Sequence, residues 1–523
     1  MGEAARSLTD DLLRVTSYPP PRPRTVTLSA THASWVFLTD DEVWKLKRPV
    51  SYGFLDYRDP ERRRRCCEEE VRLGLRLAPG VYRGVEPVYR GADGFSFVGP
   101  GDVVDAAVRM ERLPDQDSAL ALLRAGRLTP AQLDALCARL AAFYSAAERT
   151  DGFGAPAALA AAIDQNHQQT LPYAGRYVDG ALLERVHAAQ RAAAAQADEL
   201  LRARVRTGRI RDGHGDLRLE HIYFLSARGG APVVIDPIEF NQGFRCQDVA
   251  LDIAFLIMEL EAEGRGDLAT YVLSRFASAS NDYDFFPLMN LYVGYRAWVR
   301  AKVACFVADD AGTPPDKARR KAAEAARLFA LADAFAGPRP RMGAVVAVGG
   351  MIGAGKSTVA QALGLALPAP VISSDATRKA LAGVAPLERA GPAAYDDRST
   401  AATYAEVLRR AEVVLASGRD VVLDATFRKA VFRDAARALA RQHHLRFLFV
   451  AMDGDDETLT ARLRARDLDP AVSDARVDLL PWLRRDTEPP LELEPAEVLK
   501  VDASQPIGAV VTAVRARVTA GAP

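Results

Sequence analysis

The sequence predicts two domains of mixed α and β structure: a bilobal α+β domain over residues 20–336 and an α/β domain over residues 343–523. Strand-like runs are concentrated in residues 25–110 and helical segments follow them, which indicates a small β-rich lobe before a larger α-rich lobe. Residues 337–343, GPRPRMG, are typical of a linker. Beyond the linker, short apolar runs alternate with helical segments, as in a parallel sheet covered by helices on both faces.

The bulk composition indicates a folded protein and disfavours several functional classes. Of 523 residues, 49% are hydrophobic and 26% are charged, and the formal net charge is zero. A dedicated nucleic-acid binder usually has a basic excess, so nucleic acid is a disfavoured partner, although a local basic channel stays possible. The 5 cysteines form no CxxC pair, which fits a reducing cytoplasm better than a disulfide framework or a zinc site.

The sequence also indicates no membrane partner. No apolar run reaches the roughly 18 residues that a membrane-spanning helix needs. The N-terminal segment lacks the apolar core of a signal peptide. We therefore expect a cytoplasmic protein, and the sequence gives no indication of its oligomeric state.

A phosphate-binding motif lies at residues 350–357, GMIGAGKS, which match the pattern GxxxxGK[ST] in full. The motif follows an apolar strand over residues 344–349 and opens a helix. Its glycines allow positive φ and let backbone N–H groups approach phosphate oxygens. Lys356 would reach the β- and γ-phosphates of ATP, and the Ser357 hydroxyl would bind Mg²⁺. The residues expected to bind ATP are Gly350, Gly353, Ala354, Gly355, Lys356, Ser357 and Thr358.

Carboxylates follow two later strands of the same predicted sheet. Asp424 ends the apolar run at residues 421–423, a position that commonly holds Mg²⁺; the alternative is a helix N-cap. Asp375 follows the second strand and would face the phosphate crevice, where it could accept a proton from an attacking hydroxyl. Arg378 comes one helical turn later and could hold a phosphate or the substrate. For this pair the alternative is an N-cap aspartate beside a solvated arginine.

Two arginines near the end of the chain could close over bound ATP. Arg462 and Arg466 are spaced i, i+4 and share one face of a predicted helix. Arginines in such a position stabilise the charge that develops on the transferred phosphoryl group. The alternative is an ordinary solvated helix face.

Residues 343–523 resemble the small P-loop kinases that include gluconate kinase, zeta toxins, chloramphenicol phosphotransferase and polynucleotide kinase. The resemblance covers the strand order, the phosphate-binding motif, the SD-x-x-R segment at Asp375 and Arg378, and the arginine-rich segment 462–466. It implies that Asp375 is a general base. These relatives phosphorylate a nucleotide sugar, a 5′-hydroxyl end or a sugar acid, so the acceptor stays open.

A second pair of motifs lies in the first predicted domain. Residues 214–224 read HGDLRLEHIYF and residues 233–240 read VVIDPIEF. They resemble the catalytic and metal-binding segments of aminoglycoside phosphotransferases, which share the protein-kinase fold and its H-x-D-x-x-x-x-N loop. The resemblance implies that Asp216 is the catalytic base and that Asp236 holds Mg²⁺.

The sequence departs from this pattern at the second metal-binding position, where His221 replaces the expected asparagine. Imidazole is a poorer ligand for Mg²⁺ than an amide oxygen, because Mg²⁺ prefers hard oxygen ligands. Three interpretations stay open: one metal is held weakly, His221 has another role, or activity is reduced.

The first domain also contains a candidate ATP-binding lysine. Lys45 and Lys47 lie on the strand-like run 42–47, and the period of two places them on the same face. Either could bind phosphate, and we slightly favour Lys47. The candidate partners are Glu68, Glu69 and Glu70, on a helix over residues 60–77. Glu70 is favoured because it shares a face with Leu73 and Leu77; the alternative is that these charges lie on the surface.

Taken together, the chain resembles bacterial fusion proteins that join an aminoglycoside phosphotransferase-like domain to a P-loop (AAA-type) ATP-binding kinase domain. The resemblance implies a bifunctional phosphotransferase that uses ATP and Mg²⁺. Its acceptor would be a hydroxyl of a small molecule, such as a sugar, an aminoglycoside-like compound or a nucleotide sugar. One alternative is a non-catalytic, binding or regulatory first domain, and another is a polynucleotide 5′-hydroxyl kinase or repair ATPase.

Overall fold

The computed structural model describes residues 7–31, 33–51, 55–337, 341–385, 388, 390–466 and 477–519. The chain forms two compact units. The first unit comprises Met1–Asp179, Ala194–Glu259 and Val299–Ala326, and the second comprises Gly180–Ala193, Leu260–Trp298 and Arg327–Pro523. The second unit thus includes residues that precede the linker. The domain boundary that the sequence indicates at residues 337–343 stays a prediction.

The first unit contains the predicted β-rich lobe, an antiparallel sheet of 6 strands in the order β1-β2-β3-β6-β4-β5. The strands are β1 (Thr27–Ala30), β2 (Ser34–Leu38), β3 (Glu42–Lys47), β4 (Tyr82–Gly91), β5 (Gly94–Ser96) and β6 (Asp102–Glu111). Alternation along β3 places Trp44 and Leu46 in an apolar cluster with Tyr18 and Phe97. Lys45 and Lys47 therefore lie on the opposite face, as predicted.

Most of the remaining elements of the first unit are helical. Its helices are α1 (Leu8–Leu12), α2 (Pro60–Gly74), α3 (Ala119–Arg124), α4 (Pro130–Ala146), α5 (Pro156–Thr170), α7 (Asp198–Arg206) and α8 (Gln242–Arg245). Two short antiparallel pairs complete the unit, β7 (Ile210–Asp212) with β10 (Cys246–Asp248), and β8 (Ile222–Phe224) with β9 (Pro232–Val234). The helices that contribute residues to both units are α6 (Gly180–Gln196), α9 (Val249–Ala262), α11 (Met289–Asp309) and α12 (Pro315–Ala334).

Helix α2 begins as the sequence predicts and ends three residues earlier than expected. Asp59 caps its first turn by accepting a hydrogen bond from the backbone N–H of Glu61, and Pro60 occupies the first helical position. The helix ends at Gly74, where the ring of Tyr82 packs against the backbone. A Cβ at residue 74 would lie 2.2 Å from that ring, so only glycine allows this approach.

The second unit contains the predicted parallel sheet, with 5 strands in the order β12-β13-β11-β14-β15. The strands are β11 (Ala344–Gly350), β12 (Val371–Ser373), β13 (Val421–Asp424), β14 (Arg446–Asp453) and β15 (Val498–Asp502). The helices are α10 (Gly266–Ser280), α13 (Lys356–Ala366), α14 (Ser374–Leu381), α15 (Asp397–Ala416), α16 (Ala430–Gln442), α17 (Asp456–Arg466), α18 (Leu480–Asp486) and α19 (Ile507–Thr519). The predicted fold class is confirmed for both parts of the chain.

Helix α10 precedes the linker in sequence but packs against the edge strand β12 in the second unit. The Ser274 hydroxyl accepts a hydrogen bond from the backbone N–H of Val371 at 2.8 Å and donates to its carbonyl at 3.3 Å. Arg410 on α15 donates to the side chain of Asn281 at 2.7 Å and lies 4.8 Å from the ring of Tyr283. The bonds to Ser274 satisfy backbone groups of Val371 that an edge strand would otherwise expose.

Membrane-spanning segments were sought among the described helices. None of them combines the length and the apolar character that crossing a bilayer requires.

Candidate active sites

The phosphate-binding loop of the second unit lies between β11 and α13, in the context that the sequence predicts. Gly353 and Gly355 have φ angles of +79° and +84°, which side chains rarely adopt. A Cβ at Gly350 would lie 1.8 Å from the carbonyl oxygen of Met452 on the neighbouring strand. The loop therefore needs glycine at residue 350 because a side chain would clash there. It needs glycine at residues 353 and 355 because their backbone conformation disfavours other residues.

Four of the predicted site residues meet at the start of α13. Lys356 donates from Nζ to the carbonyl oxygen of Met351 at 2.8 Å, within the loop itself. Asp424 is buried and is hydrogen-bonded to Ser357. Burial raises the pKa of Asp424 to about 6, although Ser357 and Lys356 act in the opposite direction; nearby Asp375 raises it further. The structure thus places Lys356, Ser357 and Asp375 close enough to Asp424 to interact with its carboxylate.

Arg378 lies in a buried position one turn after Asp375, so it is not a solvated arginine. It donates to the carbonyl of Ala394 and to the Thr400 hydroxyl, the latter at 3.4 Å, and its guanidinium lies 4.8 Å from the Tyr395 ring. Its Nε has no hydrogen-bond partner among the described residues. A buried guanidinium with an unused donor is suited to bind an anionic group.

The predicted arginine pair is described only in part. Arg462 on α17 donates to the carbonyl of Ala503 at 2.8 Å. One of its terminal nitrogens lies 3.7 Å from the point where a Cβ on Gly355 would stand, so this arginine lies against the loop. The side chain of Arg466 falls outside the described residues. Sequence reasoning missed the Ala503 segment, although an aspartate and small residues directly after the last strand mark the carboxyl edge of the sheet.

In the first unit, Lys45 and Lys47 both contact Glu70, which is completely buried on α2. The Nζ of Lys45 lies 2.9 Å from Glu70 Oε1 and also contacts Asp236 Oδ1. The Nζ of Lys47 contacts Glu70 Oε2 and Glu239 Oε1. The Lys45 side chain is 14% exposed and that of Lys47 is 2% exposed. Lys45 is thus the lysine that joins Glu70 to Asp236.

These buried groups stay charged because they compensate one another. Burial by itself would lower the pKa of Lys45, but Asp236 and Glu70 outweigh it and raise the pKa above its usual value. Burial by itself would raise the pKa of Asp236, but Lys45 and His221 outweigh it and lower the pKa. The unit therefore holds an ionised chain of alternating sign at neutral pH.

The loop that carries Asp216 is fixed by a completely buried carboxylate on α9. Asp252 accepts hydrogen bonds from the backbone N–H groups of His214 at 2.7 Å and Gly215 at 3.0 Å, and from the Tyr144 hydroxyl at 2.9 Å. Its role in holding the loop depends on a contact 38 residues away, which no local pattern reveals.

His221 lies between the two predicted aspartates. Its Nδ1 is 3.0 Å from the carbonyl oxygen and 3.7 Å from the carboxylate of Asp216, and its Nε2 is 3.6 Å from the carboxylate of Asp236. Asp236 has a φ of +64°, unusual for a residue other than glycine, and its N–H donates to the Tyr82 hydroxyl at 2.9 Å. Such a strained conformation persists where the surroundings hold it, as at functional sites.

Several residues around this site were missed by sequence reasoning. Glu239 contacts both Lys47 and the Tyr57 hydroxyl. Arg218 donates to Glu259 at 2.8 Å and interacts electrostatically with Asp216. The only available signals were their positions, two residues after Asp216 for Arg218 and three after Asp236 for Glu239.

Comparisons with known proteins agree with this arrangement. Residues 34–286 match the Phosphotransferase enzyme family, and residues 345–490 match a family described as an AAA domain. Uncharacterized proteins of Mycobacterium tuberculosis and Mycobacterium bovis are 32% identical over 443 residues, which are 83% of this chain and 85% of each relative.

Two solved structures resemble different parts of the chain. A gluconokinase from Sinorhizobium meliloti is 24% identical, with a TM-score of 0.27 over 35% of this chain and 94% of its own. The GDP and kanamycin complex of an APH(2″) protein is 14% identical, with a TM-score of 0.41 over 62% of this chain and 99% of its own.

The predicted pairing of families is confirmed, and both families support phosphotransfer of the kinase type. Families of this kind use ATP and Mg²⁺. The chain, which joins a Phosphotransferase enzyme family domain to a P-loop kinase-like domain, belongs to the same family as the mycobacterial proteins.

Proposed function

We propose that the chain is a bifunctional kinase, and that each unit transfers the γ-phosphoryl group of ATP to a hydroxyl of a small molecule. The observation that carries the proposal is the contact of Lys45 with both Glu70 and Asp236. Glu70 is completely buried, and the side chains of Lys45 and Asp236 are 14% and 40% exposed. A binding module that had lost catalysis would have no need to withdraw the Glu70 carboxylate and most of Lys45 from water, because burying charges costs free energy. The phosphate-binding loop supports the same chemistry in the second unit.

In the first unit we assign the phosphate-binding role to Lys45 rather than Lys47. Lys47 is almost fully enclosed and is held by two carboxylates, so it serves to position Glu70 and Glu239. The Asp216 side chain is 24% exposed and can meet an incoming hydroxyl. Its role would be to orient that hydroxyl and to accept its proton.

In the second unit the backbone N–H groups of residues 350–358 and the ammonium of Lys356 would bind the phosphates. Asp375 would accept the proton of the acceptor hydroxyl, and Arg378 and Arg462 would stabilise charge on the transferred group. The residues that would hold Mg²⁺ are Ser357 and Asp424 here, and Asp236 in the first unit. When bound, Mg²⁺ neutralises phosphate charge. Most of the rate enhancement would then come from positioning and charge stabilisation.

The test uses full-length Asp216→Asn, full-length Lys356→Ala and the double variant, assayed for ATP-dependent phosphorylation of a metabolite extract. We expect each single change to lower one set of products by roughly 100- to 1,000-fold and to leave the other set unchanged. Asp434→Asn, an exposed aspartate on α16, is the control.

Two outcomes would contradict the proposal. If Asp216→Asn changes no product, the first unit is a binding or regulatory module. The assay also contains a 5′-hydroxyl oligonucleotide and ATP labelled at the γ-phosphate. If the label is transferred only to the oligonucleotide, the protein is a polynucleotide kinase and the proposal of a small-molecule acceptor is wrong.

A further inference from the structure

The ring of His221 is held in one tautomer. Its Nδ1 lies 3.0 Å from the carbonyl oxygen of Asp216. A carbonyl oxygen can only accept a hydrogen bond, so Nδ1 carries a proton, and Nε2 is the nitrogen that can offer a lone pair to a metal. A histidine that donates from one nitrogen to a fixed acceptor is oriented to bind a metal with the other.

The lone pair of Nε2 faces carboxylate oxygens. Asp236 Oδ2 lies 3.6 Å from Nε2 and Glu220 Oε1 lies 3.8 Å from it. The two oxygens of Asp236 have separate roles, since Oδ1 contacts Lys45 and Oδ2 faces the imidazole. The site therefore offers one nitrogen and at least one carboxylate oxygen at the place where the sequence predicts a metal.

This set of donor atoms suits some divalent cations better than others. Mg²⁺ strongly prefers oxygen ligands in octahedral geometry. Affinity for sites that contain imidazole increases along the first transition series, and Mn²⁺ also accepts carboxylate and phosphate oxygens. A mixed nitrogen and oxygen site that must also accommodate phosphate oxygens therefore favours Mn²⁺ over Mg²⁺.

We propose that Nε2 of His221 and Oδ2 of Asp236 together bind the cation that accompanies ATP, and that the first unit consequently selects Mn²⁺ over Mg²⁺. The proposal rests on the proposed function, because it assumes that the first unit binds ATP. It replaces the three interpretations that the sequence left open with one specific role for this residue.

The first test measures ATP affinity by calorimetry in the presence of Mn²⁺ or Mg²⁺, using the full chain with Lys356→Ala to weaken binding at the second site. We expect tighter binding with Mn²⁺, and a fall of at least about tenfold in the Mn²⁺-to-Mg²⁺ affinity ratio after His221→Asn. The control is His444→Asn, which removes an exposed imidazole. An unchanged ratio in folded His221→Asn protein would overturn the proposal.

The second test needs no change at residue 221. Pulsed electron paramagnetic resonance of the Mn²⁺·ATP complex of the Lys356→Ala chain should show coupling to an imidazole nitrogen. That coupling should persist in His444→Asn. If ATP binds and no nitrogen coupling appears, the proposal is wrong while the proposed function stands. If the Lys356→Ala chain binds no ATP with either metal, both fail for the first unit.

Discussion

The two candidate sites are built in opposite ways. In the second unit, the phosphate-binding groups come from 8 consecutive residues, and Lys356 bonds to a carbonyl of its own loop. In the first unit, Lys45 meets a partner 191 residues away and Lys47 meets one 192 residues away. One site is made of local backbone geometry and the other of buried ion pairs between distant segments. Removing one charge from the ion pairs of the first unit should therefore cost more stability than changing a residue of the loop in the second.

The largest expected effect is on the stability of the first unit. Glu70→Ala would remove the buried carboxylate that Lys45 and Lys47 share and leave each lysine with one carboxylate partner. Breaking a buried ion pair costs about 3–5 kcal/mol, so we expect a loss of that size. Urea unfolding of the full chain, monitored by limited proteolysis within the first unit, would measure this change in the free energy of unfolding. Glu68→Ala, on the same helix but half-exposed and paired only with Arg64, should cost less than about 0.5 kcal/mol. Equal losses of stability in Glu70→Ala and Glu68→Ala would show that the buried ion pairs stabilise the first unit no more than a surface pair does.

A glycine substitution should have the next largest effect, in the second unit. Gly350→Ala places a methyl group against the carbonyl of Met452 at a φ of +115°, and we expect the second unit to lose roughly 2–3 kcal/mol of stability. Made in a Lys45→Ala chain, in which the first unit binds ATP weakly, the same change should abolish the remaining ATP binding. In Gly418→Ala the φ of +79° is similarly unfavourable, but a Cβ there meets nothing within 4 Å. This control should cost about 1 kcal/mol and keep ATP binding. Retained ATP binding after Gly350→Ala in the Lys45→Ala chain would show that the loop tolerates displacement.

A smaller effect should appear as pH dependence of the second site. Because burial raises the pKa of Asp424 to about 6, its carboxyl is protonated below that pH in the folded chain. Its contribution to folding stability is therefore present at low pH and is lost as pH rises from about 4 towards 6. A metal needs the carboxylate, so Mg²⁺·ATP affinity in the Lys45→Ala chain, in which binding at the first unit is weakened, should fall by up to about tenfold per pH unit below 6.

Calorimetry in two buffers with different ionisation enthalpies would detect the proton that is released on binding. Asp424→Asn keeps the size of the side chain and should abolish that release. Proton release that persists in Asp424→Asn would assign the titration to another group.

The smallest predicted effect concerns the contact between α10 and β12. Ser274→Ala removes one hydroxyl and leaves the N–H of Val371 without its partner, at a cost of about 1 kcal/mol in the unfolding of the second unit. Ser280→Ala removes a hydroxyl that donates to the carbonyl of Phe276 within the same helix, and should change little. Thermal unfolding followed by calorimetry would compare them, and equal shifts would show that the contact contributes nothing.

The sequence predicts local features of the two sites better than their long-range contacts. The bounds of β11 and β13 were predicted to within one residue, because apolar runs between helices leave little choice. The sequence favours Lys47 only slightly over Lys45, since both face the same side and the difference between them depends on Glu239, a residue distant in the sequence. The position of α10 was not predicted either, because a serine on an apolar helix gives no sign that it bonds to a strand.

The bond between Ser274 and Val371 also bears on how such a chain evolves. Recombination at the proline- and arginine-rich junction of residues 337–343 would exchange β12 while keeping α10 from the original parent. The incoming strand would then face a helix selected for another partner. We therefore expect related genes to inherit the segments that encode α10 and β12 together. Natural crossovers should fall upstream of residue 266, where α10 begins.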